Sequence, residues 1–515
     1  MCHSQPHVRC RRLLAVWFVA SLAVSGACNS DPPPELMLGS LALPASIQKT
    51  YPRKIFVHLM PWFRVGGQHW SMNARNSATG IASWYTPLIG EYSSDDGNVI
   101  EYQLLTMKYA GIDGVLLDWP GLSGAYDLPQ NKAASDAIIN RTAAFGLEFG
   151  VVYEDQNAAS VDAAKSDMTY VRDNFFSRPN HLKVNGAPAL LVFGPQRFKS
   201  AGEWSNILSV FAAKPAFFSL WYNDAAGSNN AGRFAWIAQN GLKGVLDFND
   251  GLDGADHGLT IPVLYPGFNP YYAAGGWPGP AWKISYGLKK DNSEGGDTFQ
   301  STFELGKYAG EPLQIATWND YGEGTMVEPT QQFQYRFLTT LQNSVGAVYT
   351  ETELKIVKQL FDQRRQFGAS KQAALDQASA ALARLDVATA CGILGCAAPV
   401  HPGTGGVDGS MMGTGGRTGT AGSSGTGGTA KGTGGRAGAG GSGGSAGRPA
   451  DAGGGQGAGG SHADNGLGGC ATGGAAPASS LAFLIAAALA MTGGHRARRG
   501  WHGGRREHQI CRRPR

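Results

Sequence analysis

The stretch that decides the fold is Leu313-Gln314-Ile315-Ala316-Thr317, which continues into Trp318-Asn319-Asp320-Tyr321-Gly322-Glu323-Gly324-Thr325. A short apolar run that ends in a carboxylate-rich loop is typical of a buried strand leading into a functional loop. Asp320 and Glu323 are three residues apart, and a tight turn brings such positions within about 7 Å at Cα. Two adjacent carboxyl groups suit cleavage of a glycosidic bond, which needs an acid and a base or nucleophile. A solvated acidic loop is the alternative, and the rest of the chain decides between the two.

Composition concentrates the foldable part of the 515-residue chain between residues 51 and 390. Ten of the twelve Trp lie from Trp62 to Trp318, whereas 30 of the 75 Gly lie in the 68 residues 402–469. A segment so rich in Gly cannot bury enough apolar surface to offset the entropy of ordering it. We therefore predict a disordered, Gly-rich linker over 399–469 and one large domain before it.

The net charge of +4 arises at the two ends of the chain. The last 21 residues carry +7 and the first 28 carry +3, which leaves −6 for residues 29–494. A mildly acidic, aromatic-rich domain does not fit a nucleic-acid partner and suits a neutral ligand such as a sugar. No Cys lies between Cys28 and Cys391, so neither a disulfide nor a Cys metal site is expected there. Cys391 and Cys396 are spaced to close a small disulfide loop.

Both ends carry signals for export and attachment. Three Arg precede an apolar run and Ser25-Gly26-Ala27, the pattern of a secretory signal peptide over 1–27. Cys28 either follows ordinary cleavage or is the lipidated residue of a lipoprotein, and 28–50 form a spacer. Cys470, an apolar run and an Arg cluster over 470–515 resemble the sorting tails of bacterial surface proteins, with a plain membrane anchor as the alternative. We expect an exported protein, either secreted or attached to the bacterial envelope or outer surface.

Short apolar runs alternate with helix-period segments over residues 51–345, which predicts an α/β domain. The predicted strands are Ile55–Met60, Gly114–Asp118, Glu148–Tyr153, Ala189–Phe193, Ala216–Trp221, Gly244–Phe248, Pro262–Pro266 and Leu313–Thr317. The predicted helices include Tyr102–Ala110, Ala133–Phe145, Ala163–Phe176, Trp204–Ala212 and Thr302–Tyr308. Eight such units predict a parallel (β/α)8 TIM barrel. Helical spacing over Glu351–Ala390 predicts a C-terminal helical extension over 346–398.

Side chains suited to a carbohydrate site collect at the predicted carboxyl ends of the strands, where TIM barrels place their active sites. The predicted substrate-binding residues are Trp62, Asp118, Trp119, Tyr153, Glu154, Trp221, Asp247, Tyr265, Trp318, Asn319 and Tyr321. The Trp residues could instead be packing, and Asp118 or Glu154 could cap a helix or pair with an Arg. His58 lies within a strand and is expected to be a core histidine. No metal site and no cofactor are expected.

The run from Trp318 to Thr325, with Glu328-Pro329, resembles the signature of glycoside hydrolase family 71, the α-1,3-glucanases. It is also similar to the corresponding run of family 99, the endo-α-mannosidases and endo-α-mannanases. Lys183–Leu190, Phe56–Phe63 and Asp113–Trp119 look like other parts of the same group, so the resemblance covers about residues 51–345. It implies a (β/α)8 barrel that acts on an α-linked polysaccharide.

The resemblance places the two acids of the group on Asp320 and Glu323. It implies that Glu323 is the general acid/base. Asp320 would assist the nucleophile, which is the substrate's own 2-hydroxyl in family 99 and a water in an inverting enzyme. Family 71 also has Asp at this position, whereas family 99 has Glu, and retention or inversion stays open. Glu328 either holds the loop or binds sugar. We expect an endo-acting hydrolase of α-1,3-glucan-like substrates, with α-mannan as an alternative substrate and a non-catalytic carbohydrate-binding barrel as the rival function.

Overall fold

The computed structural model describes residues 44, 47–124, 127–250, 258–287 and 295–399. The predicted signal peptide, the lipidation site Cys28, the linker from residue 400 onward and the sorting segment lie outside the described residues. Within the described ranges, no helix is long and apolar enough to cross a membrane.

The strands form a barrel around a buried apolar core. They are β1 Ile55–Leu59, β2 Gly114–Trp119, β3 Glu148–Tyr153, β4 Lys183–Val184, β5 Ala187–Val192, β6 Ala216–Leu220, β7 Asn230–Phe234, β8 Leu259–Ile261, β9 Val263–Leu264 and β10 Leu313–Ile315. Neighbours in the order β8-β7-β6-β5-β3-β2-β1-β10-β9 are parallel, and β4 pairs antiparallel with β5. Only Pro262, which has no N–H for the ladder, separates β8 from β9. The two occupy one strand position, so the predicted (β/α)8 barrel is confirmed.

Helices surround the barrel and extend beyond it. They are α1 Gln68–Ser71, α2 Gly97–Tyr109, α3 Leu128–Thr142, α4 Val161–Val171, α5 Ala201–Ile207, α6 Leu242–Asn249, α7 Asp297–Gly306, α8 Arg336–Val345, α9 Glu351–Phe367, α10 Gln372–Ala383 and α11 Val387–Leu394. Asp96 caps α2 by accepting hydrogen bonds from two backbone N–H groups of its first turn. Thr350 and Glu353 form a capping box at the start of α9. The predicted helices are confirmed as α2, α3, α4, α5 and α7.

The sixth predicted strand is wrong. Gly244–Phe248 lies in α6, and the strand at this barrel position is β7. The period of a short apolar run does not distinguish a strand from a buried helix segment, which explains the error. Asn, Gly and Arg interrupt the apolar pattern of β7. Gly232 is nevertheless required there, because a Cβ atom would lie 2.0 Å from the carbonyl oxygen of Leu259 on the next strand.

Buried polar contacts join the helical extension to the barrel. Arg364 of α9 donates to Oε1 of Glu101 of α2 at 2.8 Å, and both side chains are almost fully buried. Nζ of Lys108, also on α2, donates to the carbonyl oxygen of Ala383 at 2.6 Å. Burial lowers the pKa of Lys108 to about 8. Cys391 and Cys396 form the predicted disulfide.

The strand register decides which side chains enter the barrel, because successive residues of a strand point to opposite faces. Nε2 of His58 on β1 is 2.7 Å from Oε1 of Gln314 on β10. His58 also contacts Trp236, and Gln314 donates to the carbonyl oxygen of Ala235, both just after the non-adjacent strand β7, so both side chains are inside. Burial lowers the pKa of His58 to about 4, which makes it the neutral core histidine that the sequence predicts. His58 pairs in register with Leu116, and Asp118, two residues further on, therefore faces inward at the mouth.

Candidate active site

A buried carboxylate, Glu328, holds the loop that follows β10. Its Oε1 accepts hydrogen bonds from Nε2 of Gln103 at 2.8 Å and Nε1 of Trp318 at 3.2 Å. Its Oε2 accepts from the hydroxyl groups of Tyr92 at 2.9 Å and Tyr321 at 3.0 Å. Burial raises the pKa of Glu328 to about 7, and the four donors oppose this shift by stabilising the anion. These contacts favour the loop-holding role among the two that the sequence left open for Glu328.

A tight turn above this anchor presents the two candidate acids. The backbone N–H of Thr317 donates to the carbonyl oxygen of Thr325 at 3.0 Å. The hydroxyl of Thr317 accepts a hydrogen bond from the N–H of Asp320 at 2.8 Å. Gly324 has a φ of +69°, which favours glycine, and a Cβ atom there would lie 2.8 Å from a neighbouring backbone carbonyl oxygen. The turn therefore keeps Asp320 and Glu323 together.

Asp320 and Glu323 are both buried, and the described residues bind one oxygen of each. Oδ1 of Asp320 accepts the backbone N–H of Glu323 at 3.0 Å. Oε1 of Glu323 accepts the hydroxyl of Tyr272 at 3.3 Å. Among the described residues, Oδ2 of Asp320 and Oε2 of Glu323 have no hydrogen-bond partner. One oxygen of each acid is thus left for a ligand.

The surroundings of the two acids favour different protonation states. Burial, followed by the charge of Asp320, raises the pKa of Glu323 well above its usual range, against the opposing hydrogen bond from Tyr272. Burial raises the pKa of Asp320 to about 7, but backbone N–H groups of Glu323 and Gly322 stabilise its anion. Glu323 therefore retains the proton near neutral pH, and Asp320 is the better anion. A proton donor beside a base is the arrangement that acid–base catalysis requires.

A second pair of buried carboxyl groups, Asp118 and Glu154, enters the barrel from β2 and from the residue after β3. The two side chains are hydrogen bonded to each other. Burial raises the pKa of Asp118 to about 7 and that of Glu154 well above its usual range. The charge of Asp320 also raises the pKa of Asp118, so the two pairs interact electrostatically. Carboxyl groups that share a proton both donate and accept hydrogen bonds, which suits the hydroxyl groups of a sugar.

Two predicted substrate-binding residues, Trp119 and Tyr153, face the helices. Side chains alternate along a strand, so Trp119 cannot point into the barrel together with Asp118. The Trp119 ring stacks on Tyr170, with centroids 5.9 Å apart. The hydroxyl of Tyr153 donates to Oδ2 of Asp167 at 2.6 Å. Both contacts are with α4, and these residues pack the sheet against its helices.

Trp221 contacts α6, and Asp247 belongs to it. Trp221 packs edge-to-face on Phe248 of α6, with centroids 5.2 Å apart. Asp247 is itself on α6 and pairs with Lys243, one turn earlier, at 2.6 Å. The apolar run that predicts a strand end at Asp247 is part of this helix. The structure therefore removes the reason for placing Asp247 in the site, whereas Trp221 still follows a strand end and packs toward α6.

Trp318, Asn319 and Tyr321 support the loop from within. The indole N–H of Trp318 and the hydroxyl of Tyr321 are bonded to Glu328. Oδ1 of Asn319 accepts the N–H of Met60 at 2.8 Å, and its Nδ2 donates to the carbonyl oxygen of the same residue at 3.0 Å. All three side chains are fully buried. Their polar groups are hydrogen bonded to other protein groups. The structure therefore assigns the three residues to the scaffold of the site instead of to substrate binding.

Trp62 and Tyr265 keep positions compatible with their predicted role. Trp62 follows β1 and stacks on His69, with centroids 4.9 Å apart. Nε2 of His69 is in turn 3.0 Å from Oδ2 of Asp127, on the loop after β2. Tyr265 follows β9 and is buried. Substrate binding by Trp62 and Tyr265 stays a prediction.

Two aromatic residues have no prediction from the sequence: Tyr272, which contacts Glu323, and Trp236, which lies inside the barrel. Tyr272 lies on the long loop after β9, which also donates the N–H of Tyr271 to the carbonyl oxygen of Gly322 at 2.8 Å. The density of aromatic residues in that loop was the available signal. Trp236 lies two residues beyond β7 and contacts His58 inside the barrel. It was missed because its strand was assigned elsewhere.

The described ranges contain no group of three or more His, Cys, Asp and Glu residues arranged to hold a metal ion.

Comparison with known proteins shows similarity only at low identity. No protein-family model and no curated protein matches the sequence. Among solved structures, the chain is similar to the family 99 endo-α-mannosidase from Bacteroides thetaiotaomicron. The identity is 16%, the coverage is 59% of this chain and 98% of that one, and the TM-score is 0.43. It is also similar to a glycoside hydrolase-like protein, with 12% identity, 60% and 97% coverage, and a TM-score of 0.43. At these identities the similarities do not establish a family.

The buried network around Glu328 predicts a clear difference between two substitutions. Glu328→Ala leaves four buried donors without an acceptor, and we expect a loss of about 3 kcal/mol or more in the free energy of unfolding. Glu328→Gln keeps an acceptor oxygen, and its amide N–H₂ faces hydroxyl groups that can also accept. We expect Glu328→Gln to lose about 1 kcal/mol or less. Denaturant unfolding of both variants checks this, and equal stabilities for the two would contradict it.

Proposed function

We propose that residues 51–345 form a glycoside hydrolase that cleaves an α-linked polysaccharide. The observation that carries this proposal is the buried pair of Asp320 and Glu323, in which each acid keeps one oxygen without a partner in the described part of the chain. The surroundings favour a proton on Glu323 and a charge on Asp320, as glycosidic bond cleavage requires. The sequence resemblance of the same loop to families 71 and 99 supports the proposal independently of this geometry.

In the proposed reaction, Oε2 of Glu323 donates its proton to the glycosidic oxygen as the bond breaks. Oδ2 of Asp320 accepts a proton from the nucleophile, which is a water or the substrate's own 2-hydroxyl. Tyr272 holds the other oxygen of Glu323 and so aims the proton donor. Asp118 and Glu154 bind hydroxyl groups of the same sugar ring. No charged cofactor enters this scheme.

The proposed substrate is an α-1,3-glucan attacked within the chain, because position 320 is Asp as in family 71. An α-mannan is the second candidate, since the run as a whole is also similar to family 99. A binding protein without turnover is the rival function. The presence of both acids, of which Glu323 holds its proton more tightly than Asp320, argues against that rival.

We expect the full-length protein to release reducing sugar from one member of a panel of α-1,3-glucan, α-mannan and dextran. Glu323→Gln should lower kcat by about 10²- to 10⁴-fold, because the amide cannot donate the proton that the leaving group needs. Binding of the same polysaccharide should stay close to that of the wild type. NMR of the first-formed anomer then distinguishes retention from inversion.

The matched control is Glu328→Gln, which also changes a buried carboxyl group of this loop to an amide. It should retain most of the activity, because Glu328 faces the scaffold. Unchanged turnover in Glu323→Gln would remove that residue from the chemistry. Binding of a polysaccharide without release of sugar by the wild type would favour the binding-protein function.

The pH dependence of hydrolysis should follow the pKa values of the two acids. Asp320 must be ionised, and its pKa is raised to about 7, so activity should fall as the pH drops through that region. Glu323 must be protonated, so activity should fall again at higher pH. Tyr272→Phe removes a donor that stabilises ionised Glu323, which should raise its pKa and move the alkaline limb upward. Profiles of kcat/KM measure both effects. An acid limb near the ordinary carboxyl pKa of ~4, or an unmoved alkaline limb, would contradict the assignment.

A further inference from the structure

An indole that the proposed reaction does not use lies across the interior of the barrel. Trp236 follows β7 and is 2% exposed. Its ring packs edge-to-face on His58 of β1, with centroids 4.6 Å apart, and on Phe193 after β5, with centroids 5.0 Å apart. The strands β7, β1 and β5 occupy separated positions around the barrel. The Trp236 ring, which follows β7, therefore spans the barrel interior and covers the apolar core next to His58.

The polar group of this ring is its indole N–H. In the part of the chain that the structure describes, the buried Nε1 of Trp236 has no hydrogen-bond acceptor. The hydroxyl of Tyr265 is likewise buried without a partner there. Val263 of β9 pairs in register with Gln314, which points inward, so Tyr265 also points inward. Buried polar groups are almost always hydrogen bonded, and an unbonded one in a native protein calls for an explanation such as a ligand.

The unsatisfied atoms of the barrel interior are chemically complementary to a polyhydroxylated ring. Asp320 and Glu323 each offer one oxygen, whereas Trp236 and Tyr265 each offer a donor. A sugar hydroxyl both donates and accepts, so one neutral ring can satisfy both kinds of group. Ionised carboxyl groups in the same barrel would repel an anion, and a cation would leave the two donors unbonded.

We propose that Trp236 forms the floor of the sugar-binding site and donates its indole N–H to a hydroxyl group of the bound ring, with Tyr265 as a second donor. This inference rests on the proposed function of the same site. It goes further by assigning Trp236 and Tyr265 a role in specificity, because two fixed donors favour a sugar whose hydroxyl groups lie opposite them.

The test compares two Trp→Phe substitutions in the Glu323→Gln protein, which binds without turnover. Trp236→Phe keeps an aromatic ring against His58 and removes only the N–H donor and part of the ring area. Trp221→Phe is the matched control, because its Nε1 is also buried and lacks a partner among the described residues, but it packs on α6. Calorimetry with oligosaccharides of α-1,3-glucan and α-mannan measures the Kd of each variant. We expect Trp236→Phe to raise Kd about fivefold or more, as the loss of one hydrogen bond predicts, and Trp221→Phe to leave Kd within about twofold.

The outcomes separate this inference from the proposed function. Equal Kd values in the two Phe variants, with hydrolysis by the wild type intact, would overturn the role of Trp236 alone. Binding that depends on Trp236, without hydrolysis by the wild type, would support the inference and refute the hydrolase. Neither binding nor hydrolysis of any glycan would overturn both. If Trp236→Phe unfolds, Tyr265→Phe provides the same measurement, because it removes the second donor and keeps the ring.

Discussion

The candidate site depends on the burial of one carboxylate, Glu328. Two of its four hydrogen bonds join the loop after β10 to α2 and to the loop after β1, and the other two, from Trp318 and Tyr321, lie within the loop. Loops at the mouth of a barrel normally lie in water, where carboxyl groups keep their ordinary pKa values. The anchor at Glu328 holds this loop inside the protein instead. As a result, the turn that carries Asp320 and Glu323 is buried, and burial is the largest cause of both raised pKa values.

Burial alone would raise the pKa of both acids without assigning them different roles. The two pKa values differ because of the other neighbours of each acid. Backbone N–H groups stabilise the anion of Asp320, whereas the charge of Asp320 disfavours the anion of Glu323. Asp118 on β2 and Glu154 after β3 are a second pair of buried carboxyl groups, and they are hydrogen bonded to each other. Four buried acids in one barrel mouth cost stability, and such an arrangement is typical of a functional site.

Local sequence patterns predicted the strands and loops that have a clear period or motif. They failed where contacts between distant residues determine the secondary structure or the direction of a side chain. The strand β10 and its loop were predictable, because an apolar run precedes a recognisable sequence. β7 was not, since Gly232 is needed for a close backbone approach and interrupts the apolar pattern. The sequence placed Asp118 and Trp119 together at a strand end, but only the register shows that they point to opposite faces. The contact of Glu328 with Gln103, 225 residues earlier, likewise has no local signal.

Glu323 is expected to keep its proton at a pH at which Asp320 is ionised. Infrared difference spectroscopy of the wild-type protein against Glu323→Gln tests it most directly, because a protonated carboxyl group and a carboxylate absorb at separate positions. The account predicts that near neutral pH the wild type shows a protonated-carboxyl band that the variant lacks. A difference spectrum that contains only carboxylate bands would show that Glu323 is ionised, and would contradict its role as the proton donor.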